Sequence, residues 1–334
     1  NGVERPLVNI FLGDIYTRMG ELDKALSLYE KAFSNDDDKV SAEGYIKYGE
    51  TLYRKGLAKE SLQYFKDASK ICEKINFPKC EARSLNNIGL VQYFLGNTDA
   101  LKILYDALYI REQIGAASGI ASSLNNIGLV LKQKGDLDGA LEKYNGSLKI
   151  AQEIGDASGI ASSLNYIGLV LKEKGDLIGA LEKYRESLKI AQEIGDKSGI
   201  GSSLNNTGSV LKEKGDLEGA LEKYNESLKI ELEIGGKSGI ACSLNNVGFV
   251  LTEKGDLEGA LEKYNESLKI ELEIGSKSGI ACSLNNIGSV LQGKDDLIGA
   301  LEKYNESLKI AQEIGSKSGI ACSLNNIGLV LKEK

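Results

Sequence analysis

The sequence predicts an all-α solenoid, a fold made by stacking copies of one two-helix unit. Three observations carry that prediction. The block Ser-Leu-Asn-Asn-(Ile/Val/Thr)-Gly recurs at residues 84–89, 123–128, 203–208, 243–248, 283–288 and 323–328, with Ser-Leu-Asn-Tyr-Ile-Gly at 163–168. From Gly128 to Gly328 its glycine returns every 40 residues, and Leu-Glu-Lys-Tyr-Asn-Glu-Ser-Leu-Lys-Ile is identical at 221–230, 261–270 and 301–310. Within each copy the apolar residues fall at threes and fours, with none of the period-two alternation of a strand. A fixed period of this length marks stacked supersecondary units, so the 334 residues count repeats rather than domains.

The units run in order over about 7–40, 41–80, 81–119, 120–159, 160–199, 200–239, 240–279 and 280–319, with a half-unit at 320–334, all in a single solenoid over 1–334. The early copies diverge: Gly13, Gly49 and Gly89 mark the shared position at spacings of 36, 40 and 39. Each unit reads as two helices. In the copy around Gly168, the residues Ile160, Leu164, Ile167, Val170 and Leu171 form one helical face. Gly175 is placed to end that helix in a left-handed turn, and Asp176 to cap the next. The second helix carries Leu177, Ala180, Leu181, Tyr184, Leu188, Ile190 and Ile194 and stops at Gly195. A mid-helix glycine costs about 1 kcal/mol against alanine, so Gly168 predicts a close helix crossing, with the small Ala180 and Ser187 expected opposite it.

The series Ile167-Gly168, Leu171, Gly175-Asp176, Ala180, Tyr184, Leu188 resembles the tetratricopeptide repeat, and the resemblance covers essentially the whole chain. The 40-residue period is similar to the long-repeat branch that includes the spindle-orientation adaptor Pins and kinesin light chain. Two departures stand out. Leu124 or Leu164 sits where the repeat usually has a large aromatic early in the first helix. An extension through Gln192 to Ile194 replaces the usual proline, adding about 9 Å of helix per unit. The resemblance implies a right-handed superhelix whose first helices line a concave groove, and a non-enzymatic scaffold that binds a peptide segment of a protein partner there. The other reading is a sensor or autoinhibitory arm of a larger signalling protein or enzyme.

Composition narrows the chemistry. There is no histidine, which removes Ser-His-Asp, Cys-His and His-metal sites. The net charge of -7, from 41 basic and 48 acidic residues, argues against nucleic acid or an anionic membrane as partner. No run approaches the roughly 18 apolar residues of a membrane span. Five cysteines do not suggest a disulfide framework: Cys242, Cys282 and Cys322 read as small residues replacing Ser122, Ser162 and Ser202, and Cys72 and Cys80 lack zinc-site spacing. A cytoplasmic location is expected on those grounds. Gly235-Gly236-Lys237-Ser238 lacks the leading glycine of a phosphate loop and follows a helix, not a strand. Neither cofactor, metal nor catalytic activity is expected.

The candidate site is the paired asparagine column: Asn86/Asn87, Asn125/Asn126, Asn165/Tyr166, Asn205/Asn206, Asn245/Asn246 and Asn285/Asn286. Asparagine is a mediocre helix former, and its amide both donates and accepts, which suits the main chain of an extended peptide. By the resemblance, asparagines in this part of the first helix contact peptide ligands; the competing role is holding neighbouring repeats together. Specificity is expected from positions one turn on: Leu129, Leu169, Ser209, Phe249 and Ser289, then Lys132, Lys172 and Lys212. That apolar and mildly basic stripe suits an acidic-hydrophobic peptide. The half-unit 320–334 carries Leu324, Ile327, Val330 and Leu331 with no second helix to cover them, which points to a longer chain or to end-to-end self-association.

Overall fold

The computed structural model describes residues 6–33 and 37–333, and all statements below concern those residues. They are helical throughout, without strands. Helix pairs follow in order: α1 (Pro6–Arg18) with α2 (Leu22–Glu30), α3 (Asp38–Arg54) with α4 (Ala58–Lys74), α5 (Pro78–Phe94) with α6 (Ala100–Gln113), α7 (Ala117–Gln133) with α8 (Leu137–Glu153), and α9 (Ala157–Glu173) with α10 (Leu177–Glu193). The series continues with α11 (Lys197–Glu213) and α12 (Leu217–Ile234), α13 (Lys237–Glu253) and α14 (Leu257–Ile274), α15 (Lys277–Gly293) and α16 (Leu297–Glu313), and ends on α17 (Lys317–Glu333). The chain divides into two compact units, Asn1–Gly199 and Ile200–Lys334, each built in the same way.

Local chemistry sets the helix ends. Gly175 takes φ 83°, the left-handed turn that closes α9. Asp176 then caps α10, its Oδ1 accepting from Gly179 N at 2.9 Å. In the copy around Gly288 the turn residue is Asp295, which adopts φ 60° without being glycine. First helices start at residues such as Ala157 and Lys277, about one turn ahead of the repeat boundaries drawn from the sequence, because Asp156 and Ser276 cap them through Gly159 N and Gly279 N.

The mid-helix glycine does mark a close crossing, but its partner is not the small pair Ala180 and Ser187. A Cβ added to Gly168 would lie 2.5 Å from Cε1 of the Tyr184 ring. Gly128 meets Tyr144, Gly208 meets Tyr224, Gly248 meets Tyr264 and Gly288 meets Tyr304 in the same manner, and Phe65 and Leu104 stand against Gly49 and Gly89 in the divergent copies. The ring needs the space because it has a second contact. Tyr144 packs with Ile167 and Val170 of the following repeat, as Tyr264 does with Ile287 and Val290. Each tyrosine is thus the core of its own helix pair and of the junction to the next.

One further feature differs from the sequence reading, and one follows it apart from Val330, which is buried against Ala300 and Tyr304. Cys72 and Cys80 are joined as a disulfide between the end of α4 and the start of α5, with Cα atoms 5.7 Å apart across the interhelical turn. Counting cysteines did not reveal this, because the other three lie one per repeat and stay free. At α17, Gly328 meets nothing within 4 Å, and Leu324 is 52% exposed whereas its counterpart Leu284 is 3% exposed.

The tyrosine ring cannot yield on either side, so Gly168→Ala and Gly248→Ala are each expected to destabilise by about 1–3 kcal/mol through overpacking. Gly328→Ala is expected to be neutral or to stabilise by up to about 1 kcal/mol through helix propensity. Urea unfolding followed by far-ultraviolet circular dichroism compares the three.

Candidate peptide-binding face of the first helices

Successive first helices touch one another within each unit: α3 with α5, α5 with α7 and α7 with α9 in one, α13 with α15 and α15 with α17 in the other. Successive second helices make no such approach among the described residues. The first helices therefore form the inner layer of each unit. On α7 the open side of that layer carries the exposed Ser118 and Ser122, then the half-buried Asn126, Leu129 and Lys132.

The two asparagines of each pair have different partners. The first turns into the stack. Asn285 Nδ2 donates to Ser307 Oγ of its own second helix at 2.6 Å and to Ser323 Oγ of the next first helix at 3.0 Å. Asn245 does the same with Ser267 and Ser283, and Asn205 with Ser227 and Ser243. Asn165 is buried and donates to Ser187 at 2.8 Å, while Asn125 reaches Ser163 at 3.5 Å. These serines are fully buried and are themselves linked, Ser187 Oγ donating to Ala161 O and Ser307 Oγ to Ala281 O.

The second asparagine lies further out. Asn246 Nδ2 donates to Asn205 Oδ1 at 3.2 Å, Asn286 to Asn245 Oδ1 at 3.3 Å, and Asn126 to Asn86 Oδ1 at 2.9 Å. Each is half-buried on the open side. Asn87 instead donates to Glu50 at 3.3 Å, Asn206 is half-buried, and Tyr166 stacks on Tyr144 with ring centroids 5.1 Å apart. Desolvation pushes the neighbouring Cys242 and Cys282 thiols up, so they remain protonated at neutral pH and behave as small apolar groups.

The variable column has an internal cause as well as an outward face. Ser209 hydrogen-bonds the hydroxyl of Tyr224, while beside Ser289 the Tyr304 hydroxyl donates to Gln292 Oε1 at 3.2 Å. Burial pushes the Tyr224 phenol up to about 12, with the Ser209 bond acting in the opposite direction. Where Leu129 and Leu169 fill the column, the Tyr144 and Tyr184 hydroxyls are buried with no partner. Phe249 is 39% exposed and lies 4.0 Å beneath the Lys212 ammonium. Lys172 is half-buried, and Lys132 is ion-paired with Glu173. At Lys132 the basic stripe is thus already matched by an acid of the next first helix.

A charged cluster lies on this face that column-by-column reading missed. A cavity of about 580 Å³ is lined by Lys79, Arg83, Asn86, Asn87, Arg111 and Glu50 together with the first turn of α7. Arg83 Nη1 donates to Glu43 at 2.8 Å and Nη2 to Glu50 at 2.8 Å. Arg111 is 8% exposed and donates from Nη1 to Gly119 O at 2.7 Å and to Ser123 Oγ at 2.8 Å. It has no carboxylate partner among the described residues, and burial, aided by the neighbouring Arg83, lowers its pKa to about 10. The signal was present in the sequence: Arg111 stands where later copies have Ala151, Ala191 and Ala311.

Stacked antiparallel helix pairs with an inner layer of first helices define an α-solenoid, a class that presents extended surfaces for binding. A tetratricopeptide repeat family model matches residues 119–193 and 159–233, and a second tetratricopeptide repeat model matches residues 10–40. Those segments are of tetratricopeptide-repeat type, and the helix pairs continue in the same way through the other described residues. No curated protein matches the sequence. Among solved structures, the apo form of RapI is 20% identical with a TM-score of 0.61, covering 80% of this chain and 98% of that one. BtubC (BKLC) from P. vanneervenii is 18% identical with a TM-score of 0.54, covering 68% and 92% respectively. The APC/C hetero-tetramer Cut9-Hcn1 is 15% identical with a TM-score of 0.61; the match covers 96% of this chain and 54% of that one. At these identities the likeness is one of fold.

Removing the inner asparagine takes one hydrogen bond from each of two buried serine hydroxyls, which keep Ala241 O and each other as partners, so Asn245→Ala is expected to destabilise by about 1–3 kcal/mol. Asn286→Ala, on the open side, is expected to cost a few tenths to about 1 kcal/mol. Urea midpoints of the two variants, measured side by side, check the difference.

Proposed function

We propose that the chain is a non-enzymatic interaction scaffold that binds a peptide segment of a protein partner along the inner layer of first helices. Repeats of this type generally mediate protein–protein contacts. The observation that carries the finer reading is the division within each asparagine pair. Asn126, Asn246 and Asn286 use Nδ2 to reach back along the stack, which leaves their Oδ1 atoms on the open side as acceptors. A row of amide acceptors suits the N–H groups of an extended main chain. Phe249, three residues on from Asn246 in the same helix, offers apolar surface for a side chain of that segment.

A peptide-display library screened on the wild-type chain and on Asn246→Ala/Asn286→Ala tests this. Peptides selected by the wild type are expected to bind the double variant about tenfold more weakly, the loss of one or two hydrogen bonds. Equal affinity for a folded double variant refutes the acceptor row.

We further propose that the open face of α17 takes a second copy of the chain. Leu324 and Leu331 are 52% and 59% exposed there, whereas the counterparts Leu284 and Leu291 of the preceding first helix are buried and half-buried. Sedimentation velocity is expected to show concentration-dependent association that Leu324→Glu/Leu331→Glu abolishes; a wild-type chain that stays monomeric throughout contradicts it.

A further inference from the structure

We propose that the junction between α14 and α15 is a pH-dependent latch, tight while the buried Glu271 carboxyl carries its proton and looser once it ionises, and that Glu231 repeats the device between α12 and α13. The latch concerns how the repeats are held to one another, whatever the inner layer binds.

One pair of positions recurs from junction to junction, a residue in the last turn of a second helix against one in the first turn of the next first helix. Ala151 faces Gly159 and Ala311 faces Gly319, where a Cβ added to the glycine would lie 3.2 and 3.1 Å from the alanine Cβ. Cys72 and Cys80 hold the same two places and are joined by the disulfide. Arg111 stands against Gly119. At α12–α13 and α14–α15 the second-helix residue is a glutamate, and a Cβ added to Gly239 or Gly279 would run into the carboxyl of Glu231 or Glu271. A carboxyl thus sits at the point of closest approach, in a slot that elsewhere takes a methyl group.

No cation matches that carboxyl among the described residues. Glu271 is 7% exposed, and its Oε2 has no hydrogen-bond partner. Helix α14 packs on α13 and α15. The titratable groups that face Glu271 are Cys242 from α13 and Cys282 from α15, both thiols held neutral by burial. Ser276, which caps α15, donates a hydrogen bond to the carboxyl. The lysines that open the two facing helices are engaged elsewhere, Lys237 with Glu273 at 3.1 Å and Lys277 with Glu313 at 3.0 Å. Glu231 is half-buried and meets Cys242 as well. A carboxylate taken out of water without a counter-charge is costly, and a proton removes that cost.

Desolvation therefore raises the Glu271 carboxyl above its ordinary value, with the Ser276 bond opposing it only in part, and raises Glu231 too. The folded chain binds these protons more tightly than the unfolded chain, in which a glutamate titrates at about 4.3. The stabilisation is complete below that value and is lost as the pH rises through the higher folded one. Both junctions are tightest in weak acid and loosest at neutral pH. The junctions closed by Ala151 and Ala311 carry no such group.

Native-state hydrogen exchange of the full chain, corrected for the intrinsic exchange rate, reads the opening of each junction at about pH 4.5 and about pH 7.5. Amides in the second turn of α15 are expected to open about fivefold more often, or more, at the higher pH, as an about tenfold gain in proton affinity on folding gives. Glu271→Gln, which keeps the shape without the charge, is expected to remove that difference. Glu271→Ala, the residue found at Ala311, is expected to protect α15 equally at both values. Glu231→Gln is expected to act likewise on α13, whereas the second turn of α9, beside Ala151, is expected to ignore the change. Carboxyl carbon shifts in a parallel NMR titration are expected to show Glu271 ionising above the range of the exposed glutamates. A Glu271 carboxyl that ionises within that range, or a pH dependence of α15 that survives in both Glu271→Gln and Glu271→Ala, overturns the latch.

Discussion

The rest of the structure depends on one contact, the tyrosine ring laid on the glycine of its own helix pair. The missing Cβ lets the two helices approach until the ring fills the crossing, and the far side of the ring becomes part of the floor for the next repeat. One side chain thereby fixes two geometries at once, the crossing within a repeat and the packing between repeats. Interiors packed at crystal density transmit such a constraint with little slack. The divergent copies keep the arrangement while changing the residue, with Phe65 on Gly49 and Leu104 on Gly89.

The buried Asn–Ser network adds direction to that packing. Apolar contacts tolerate sliding, whereas an amide that must meet one hydroxyl 22 residues on and another 38 residues on does not. Such a network stabilises only when its members are satisfied, and in the copies around Asn205, Asn245 and Asn285 they are. The same demand leaves the second asparagine, as at Asn126, Asn246 and Asn286, half-buried on the open side of the layer.

Much of the fold was legible because a repeat shows the same evidence several times. The 40-residue period, the helix ends at Gly175 and Asp176 and the close crossing at Gly168 could all be read from residue types and spacing. The partner of Gly168 could not, since small residues and a ring both suit a glycine and only the packing decides between them. The two roles inside each asparagine pair were hidden for a related reason. Adjacent helical positions differ by about 100° of rotation, and which of the two faces inward depends on where neighbouring helices lie. Attention to columns also conceals the exceptions: Arg111 and Ala116 lie outside the pattern, so searching for sameness passed over them. The Cys72–Cys80 disulfide is a feature of a single junction and was invisible to any repeat argument.

The sameness of the later junctions has its own consequence. The ring–glycine contact recurs with identical residues in the pairs α11–α12, α13–α14 and α15–α16, and the Asn–Ser bonds recur from α11 to α13, α13 to α15 and α15 to α17. A folding segment that pairs with the copy one place too far along meets the same chemistry as one that pairs correctly. For such a chain the strongest competitor to the native state is a frame-shifted stack in which one copy is looped out. What separates the two is chain connectivity, the entropy of closing a loop of about 40 residues, which grows only slowly with loop length. The divergent early copies, with their own aromatic, disulfide and arginine contacts, then act as a fixed origin from which the identical ones are counted.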